Sequence, residues 1–203
     1  MNRFNRHYFL TILVIASLIA IYNCKGNKSG DSEGEFYNTN KSKLGIQIVD
    51  KNLGIQFYPP KNWVLMPSSL SKKIETRKGI ANASDSFIYQ PTYVFYNDST
   101  RGILSIGKVS TDDTTLSSNA KMNYYKSLLS NKYKNNDLSL ASFSNANITF
   151  TQFKFTTENL VSFRLIFENS KKEIVQMDFT VSIDYQNSTS DAIKSSIGSI
   201  KLF

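Results

Sequence analysis

Residues 148–183 alternate apolar and polar side chains through three consecutive stretches, and no other property of this chain restricts its fold so tightly. The stretches are 148–155, 160–167 and 174–183, joined by short polar segments that include "TTEN" and "ENSKK". In the second, Val161, Phe163, Leu165 and Phe167 fall on one side; in the third, Val175, Met177, Phe179, Val181 and Ile183 do. A period of two is the signature of a strand, and short polar joins make neighbouring strands antiparallel. The spacing therefore predicts a three-strand meander with one face buried and the other wet. The first stretch changes phase between Phe150 and Phe153, which predicts a bulge near Thr151 and Gln152.

Elements on either side extend this frame. "LGIQIV" at 44–49 and "LGIQFY" at 53–58 flank a turn-forming Asp50, Lys51 and Asn52, so a hairpin is expected, ended by Pro59 and Pro60. "KNWVLMP" follows as a short extended or irregular piece. Residues 68–78 predict a helix stopped by Gly79, then a loop, "IANASDS". Strands are expected at 93–96 and 103–109 around "NDSTRG". A helix is expected at 116–133, with Asp112 and Asp113 at its start and Leu116, Ala120, Tyr124 and Leu128 on its inner face. Finally, Ser188 and Asp191 have capping-box spacing ahead of a stripe of Ile193, Ile197 and Ile200. The sum is an α+β fold: a mostly antiparallel sheet with helices packed on one face.

At the other end, "FLTILVIASLIAI" at 9–21 follows Arg3 and Arg6 and precedes Cys24, the single cysteine. The run is short for a membrane span, which needs about 20 apolar residues, and has the length of a secretory signal. Ile21, Tyr22, Asn23 and Cys24 resemble a relaxed bacterial lipobox, whose cysteine thiol is acylated with diacylglycerol before cleavage. An uncleaved signal anchor, or a secreted protein with an incidental cysteine, are the other readings. Residues 1–23 are thus expected to be a lipoprotein signal peptide. Residues 24–43, rich in Lys, Gly, Asn, Ser and acid, are expected to be a flexible tether, and 44–203 one globular domain. With one cysteine, no internal disulfide holds that domain together.

The formal charge of +8 is dispersed, with pairs such as Lys72–Lys73 and Lys171–Lys172 but no basic run interleaved with aromatics. Nucleic acid is therefore not an expected partner. Solubility, or attraction to anionic headgroups, accounts for the excess.

The stretch "GIQFYPPKNWVLMP" resembles the opening strand and proline-tryptophan turn of PsbP-like domains, and "FTVSIDYQNSTSDAIKSSIGSIKLF" resembles their closing strand and C-terminal helix. The resemblance spans most of residues 44–203 and implies an α+β sandwich used as a binding or accessory module. Metal sites in the photosynthetic branch of that family use histidine. The only histidine here is His7, inside the expected signal peptide, so no metal site carries over.

Removal of His7 and acylation of Cys24 leave no residues for Ser-His-Asp, Cys-His or His/Cys zinc chemistry. There is no G-x-S-x-G elbow and no phosphate loop. Asp31, Glu33 and Glu35 read as solvated tether, and Asp178 as a strand residue facing water. No cofactor and no metal are expected. Tyr89, Tyr93, Tyr96 and Trp63 are the candidate partner surface, with Trp63 also able to cover a sheet edge beside Ile193 and Ile197. The expectation is a non-enzymatic lipoprotein of the bacterial cell envelope, in the outer membrane by default, serving a protein partner or an envelope assembly. A small hydrophobic-ligand carrier and a carboxylate-dependent hydrolase are the alternatives.

Overall fold

A computed structural model describes residues 37–67 and 86–203, all within one compact unit, Gly34–Phe203. The expected signal peptide, Cys24, the first part of the expected tether and the expected helix at 68–78 lie outside the described residues.

The expected hairpin forms from β1 (Ile48–Asp50) and β2 (Ile55–Phe57), in antiparallel register from Ile48 opposite Phe57 to Asp50 opposite Ile55. Asp50 holds the turn by accepting from the amides of Asn52 (2.7 Å) and Leu53 (2.8 Å). After the two prolines, β3 (Val64–Leu65) joins β4 (Ile88–Asn97), which pairs with β5 (Gly102–Ser110). Helix α1 (Ser118–Tyr133) is capped by Ser117, whose hydroxyl accepts from the Ala120 amide. Then come β6 (Ser139–Asn145), β7 (Ile148–Thr157), β8 (Leu160–Glu168) and β9 (Ile174–Ser182). A 3-10 turn leads into α2 (Gln186–Gly198), and β10 (Lys201–Leu202) closes the chain. One sheet runs β3-β4-β5-β9-β8-β7-β6, antiparallel throughout; a second runs β1-β2-β10.

The α+β class with a mostly antiparallel sheet is as expected, but both faces of the large sheet are covered. One face carries Leu104, Ile106, Leu165, Met177 and Phe179, packed with Ile193 and Ile197 of α2 and with Ile55 and Phe57 of the small sheet. The opposite face carries Phe153, Phe155, Ile166 and Ile174 against Met122, Tyr125 and Leu129 of α1. The wet face expected of the meander is therefore a second core.

This also corrects the expected bulge. β7 pairs with β6 and β8 without a register shift. Phe150 belongs to the first core and Phe153 to the second, so the phase change records which side is covered at each end of a regular strand. The register does shift in β4, between Pro91 and Tyr93, where proline supplies no N–H to the ladder. Across from it lies Gly107, where a Cβ would sit 2.0 Å from the Gln90 carbonyl oxygen. Gly107→Ala should therefore destabilise by about 1–3 kcal/mol, as overpacking does. Gly45→Ala, whose added Cβ would meet nothing closer than 3.4 Å, should be tolerated. Urea midpoints of the two variants check this.

Three more expectations are revised. Helix α1 buries Met122, Tyr125 and Leu129, and leaves Tyr124 exposed. Ser188 and Asp191 do not cap α2: the helix starts at Gln186, and the Ser188 hydroxyl donates to the Tyr185 carbonyl (3.0 Å). Nor does the tether run to residue 43. The Tyr37 ring stands 4.5 Å from that of Phe143, its hydroxyl donates to Gln152 (2.7 Å), and the Asn40 amide donates to Ser195 Oγ (3.3 Å). Tyr37 gives this polar segment an aromatic anchor. Gly198 makes room for it, since a Cβ there would lie 2.3 Å from the Tyr37 carbonyl oxygen.

Candidate binding groove

The four aromatics expected to form a surface do not come together. Tyr89 is buried, at 4% exposure, and its hydroxyl lies 2.5 Å from Ser105 Oγ. Burial raises its pKa well above the ordinary phenol value. The shift at Pro91–Tyr93 then reverses the alternation of β4, so Tyr93 packs on the first core while Tyr89 belongs to the second. Tyr93 donates to Asp50 Oδ2 (2.8 Å), and burial together with that carboxylate raises its pKa. Tyr96 is half-buried on β4. Trp63 is a core residue: its ring meets Phe179 edge-on, with centroids 6.3 Å apart.

Asp178, expected to face water, is buried under α1 in an ion pair. Arg164 and Asp178 stand directly opposite on β8 and β9, and Arg164 donates Nε to Oδ1 (2.7 Å) and Nη2 to Oδ2 (2.9 Å). The Tyr133 hydroxyl accepts from Arg164 (3.1 Å), Gln176 donates to Asp178 (2.9 Å), and Tyr125 donates to Gln176. Burial works against the Arg164 charge, but the Asp178 carboxylate beside it raises its pKa above the ordinary guanidinium value. Among the described residues no buried side-chain nitrogen or oxygen lacks a hydrogen-bond partner. A buried carboxylate paired with a guanidinium and a carboxamide in this way is a structural tie. Among the described residues, too, no cluster of three or more His, Cys, Asp or Glu could hold a metal ion.

Accessible polar groups gather elsewhere, beside the first half of α1. A groove of about 380 Å³ opens between that helix and the ends of β7 and β8. Asn119, Asn123 and Lys126 line it from the helix; Asn147, Thr149 and Thr151 line it from the β6–β7 turn and β7. The helical residues share a side by their i, i+4, i+7 spacing, and the strand residues by their period of two. Met122 and Ile166 add an apolar patch. At one end Glu168 accepts from Ser118 and faces Lys172 Nζ at 3.5 Å, which offsets its charge. Asn169 fixes that end, donating to the Leu53 carbonyl (3.0 Å) and accepting from the amides of Lys171 and Glu173 (2.9 Å each). None of these groove residues was read as a binding residue from the sequence. Their two spacings were visible, but polar residues at such spacing ordinarily mark a solvated face.

The space between the large sheet and α2 is different. The hollow found there is about 30 Å³, lined by Tyr37, Phe163 and Ile193 among others, room for little more than a water molecule.

No family model and no curated protein matches the sequence. Among solved structures the chain is similar to cyanobacterial PsbP from Synechocystis sp. PCC 6803, at 11% identity over 79% of this chain and 94% of that one, with a TM-score of 0.49. It is also similar to LpqN, involved in cell envelope biogenesis of Mycobacterium tuberculosis, at 11% identity over 77% of this chain and 89% of that one, with a TM-score of 0.42. At these identities and TM-scores the likeness transfers no activity, ligand or partner.

Proposed function

We propose that this chain is a non-enzymatic lipoprotein of the bacterial cell envelope, anchored through diacylglycerol at Cys24 and serving an envelope assembly as a binding module. The groove beside α1 is its binding site. One contrast carries the reading: the buried titratable groups are consumed by hydrogen bonds, whereas carboxamides, the Thr151 hydroxyl and a lysine without partners line an open groove. The groove lies within the volume range of ligand sites. An apolar carrier would need a cavity far larger than the small hollow beside α2. A carboxylate-dependent hydrolase built on Asp178 would need that side chain free of Arg164.

The anchor and the groove are tested separately. Cys24→Ala should abolish incorporation of a clickable fatty acid and leave an unprocessed precursor, because acylation precedes cleavage. Equal labelling of both forms would remove the anchor from the reading. A photo-crosslinking amino acid at Asn123 should capture an envelope component in living cells, and one at exposed Asp184 should not. Capture from Asp184 alone would move the binding surface off the groove.

A further inference from the structure

We infer that the groove takes a short saccharide bearing a carboxylate. The inference rests on the groove being the binding site, and three observations carry it.

The first is what is left without a partner. Among the described residues, the side chains of Asn119, Asn123, Asn147, Thr151 and Lys126 form no hydrogen bond or ion pair within the chain. Thr151, 4% exposed as a residue, lines the groove, and its hydroxyl, with no partner in the chain, is left to water or a ligand. Carboxamides and hydroxyls both donate and accept, so they match a ligand dense in groups of the same kind, as a sugar is.

The second is shape. The helical row from Asn119 to Lys126 is about 10 Å long, from a rise of about 1.5 Å per residue. The strand row from Asn147 to Thr151 is about 13 Å, from about 3.3 Å per residue. Two polar rows of similar length, in a groove that Met122 and Ile166 also line, suit a short chain of rings that have hydroxyl edges and apolar faces. A peptide added to the sheet as a further strand would need a free strand edge. β7 offers none, because β6 and β8 occupy both of its sides.

The third is charge. Glu168 is offset by Lys172, which leaves Lys126 as a cation without an acidic neighbour in the groove. One carboxylate on the ligand completes it.

The test is calorimetric titration of the full-length chain in detergent with trigalacturonate, against neutral galactotriose and triglutamate. Trigalacturonate should bind best. Thr151→Val, which keeps the shape and removes the hydroxyl, should weaken it roughly three- to tenfold, the range for one neutral hydrogen bond. Lys126→Gln should weaken it roughly two- to fivefold, as for an exposed ion pair, and leave galactotriose unaffected. Both variants should keep the parental unfolding midpoint, since neither group has an intramolecular partner. Triglutamate binding as tightly would overturn the saccharide. Galactotriose binding equally, indifferent to Lys126→Gln, would overturn the carboxylate. No binding of any of the three would overturn the inference, and crosslinking from Asn123 would in that case still place an envelope component in the groove.

Discussion

Asp178→Ala should lower the stability of the folded domain by about 3–5 kcal/mol, the usual loss when one partner of a buried ion pair is removed. The substitution strands the Arg164 guanidinium at 4% exposure, where Nε and Nη2 lose their acceptors and the Tyr133 hydroxyl remains. Gln176 loses the carboxylate it donates to as well. The rings of Tyr133 and Phe155, with centroids 5.3 and 5.8 Å from the guanidinium carbon, soften the loss without replacing an anion. The paired replacement Arg164→Met with Asp178→Leu should recover most of it, since an apolar pair of similar volume carries no desolvation penalty. Urea unfolding of the parent and the two variants gives the answer. A single substitution within about 0.5 kcal/mol of the parent, the range of an ordinary surface change, would show that the pair is hydrated and not buried as described.

Trp63→Ala should have a comparable effect, about 3–5 kcal/mol for truncating a buried aromatic. The ring lies against Phe179 on one side. On another it fills the place of a side chain at Gly102, where a Cβ would fall 2.6 Å from it. Nothing small can collapse into that space, because the backbone of β5 forms its floor. The parent protein should show blue-shifted emission poorly quenched by acrylamide. Red-shifted, readily quenched emission, together with an unchanged midpoint for the variant, would return Trp63 to the surface.

What could be read in advance follows from how many constraints each residue reports. β8 and β9 were legible because Val161, Phe163, Leu165 and Phe167, and then Val175, Met177, Phe179 and Val181, recur at every second residue, with Ile166 as the one apolar residue out of phase. Helix α1 was legible as a helix but not by its face. Leu116, Ala120, Tyr124 and Leu128 are four apart, a spacing that drifts by about 40° at each step around a helix of 3.6 residues per turn. Met122, Tyr125 and Leu129 follow the turn more closely, and Tyr125 has Gln176 to receive its hydroxyl. β6 was missed because "SLASFSN" holds small and polar residues on an edge with little to bury. Asp178 looked solvent-facing because its partner, Arg164, sits on another strand and a single sequence does not display cross-strand pairing. The groove was illegible for a related reason: its two rows belong to different elements, and only the fold sets them side by side.

The segment Tyr37–Lys43 settles how a pull from upstream would reach the domain. Tension on the chain before Tyr37 would load the Tyr37–Gln152 and Asn40–Ser195 hydrogen bonds first, then the pairs that Gly45 and Lys43 make with Pro59 and Lys61. These bonds would be met one after another, as in opening a zip, whereas the strands of the large sheet share their load across whole ladders. The segment would thus lengthen before the large sheet yields, giving up the packing of the Tyr37 ring on the first core while the second core and the groove stay at rest.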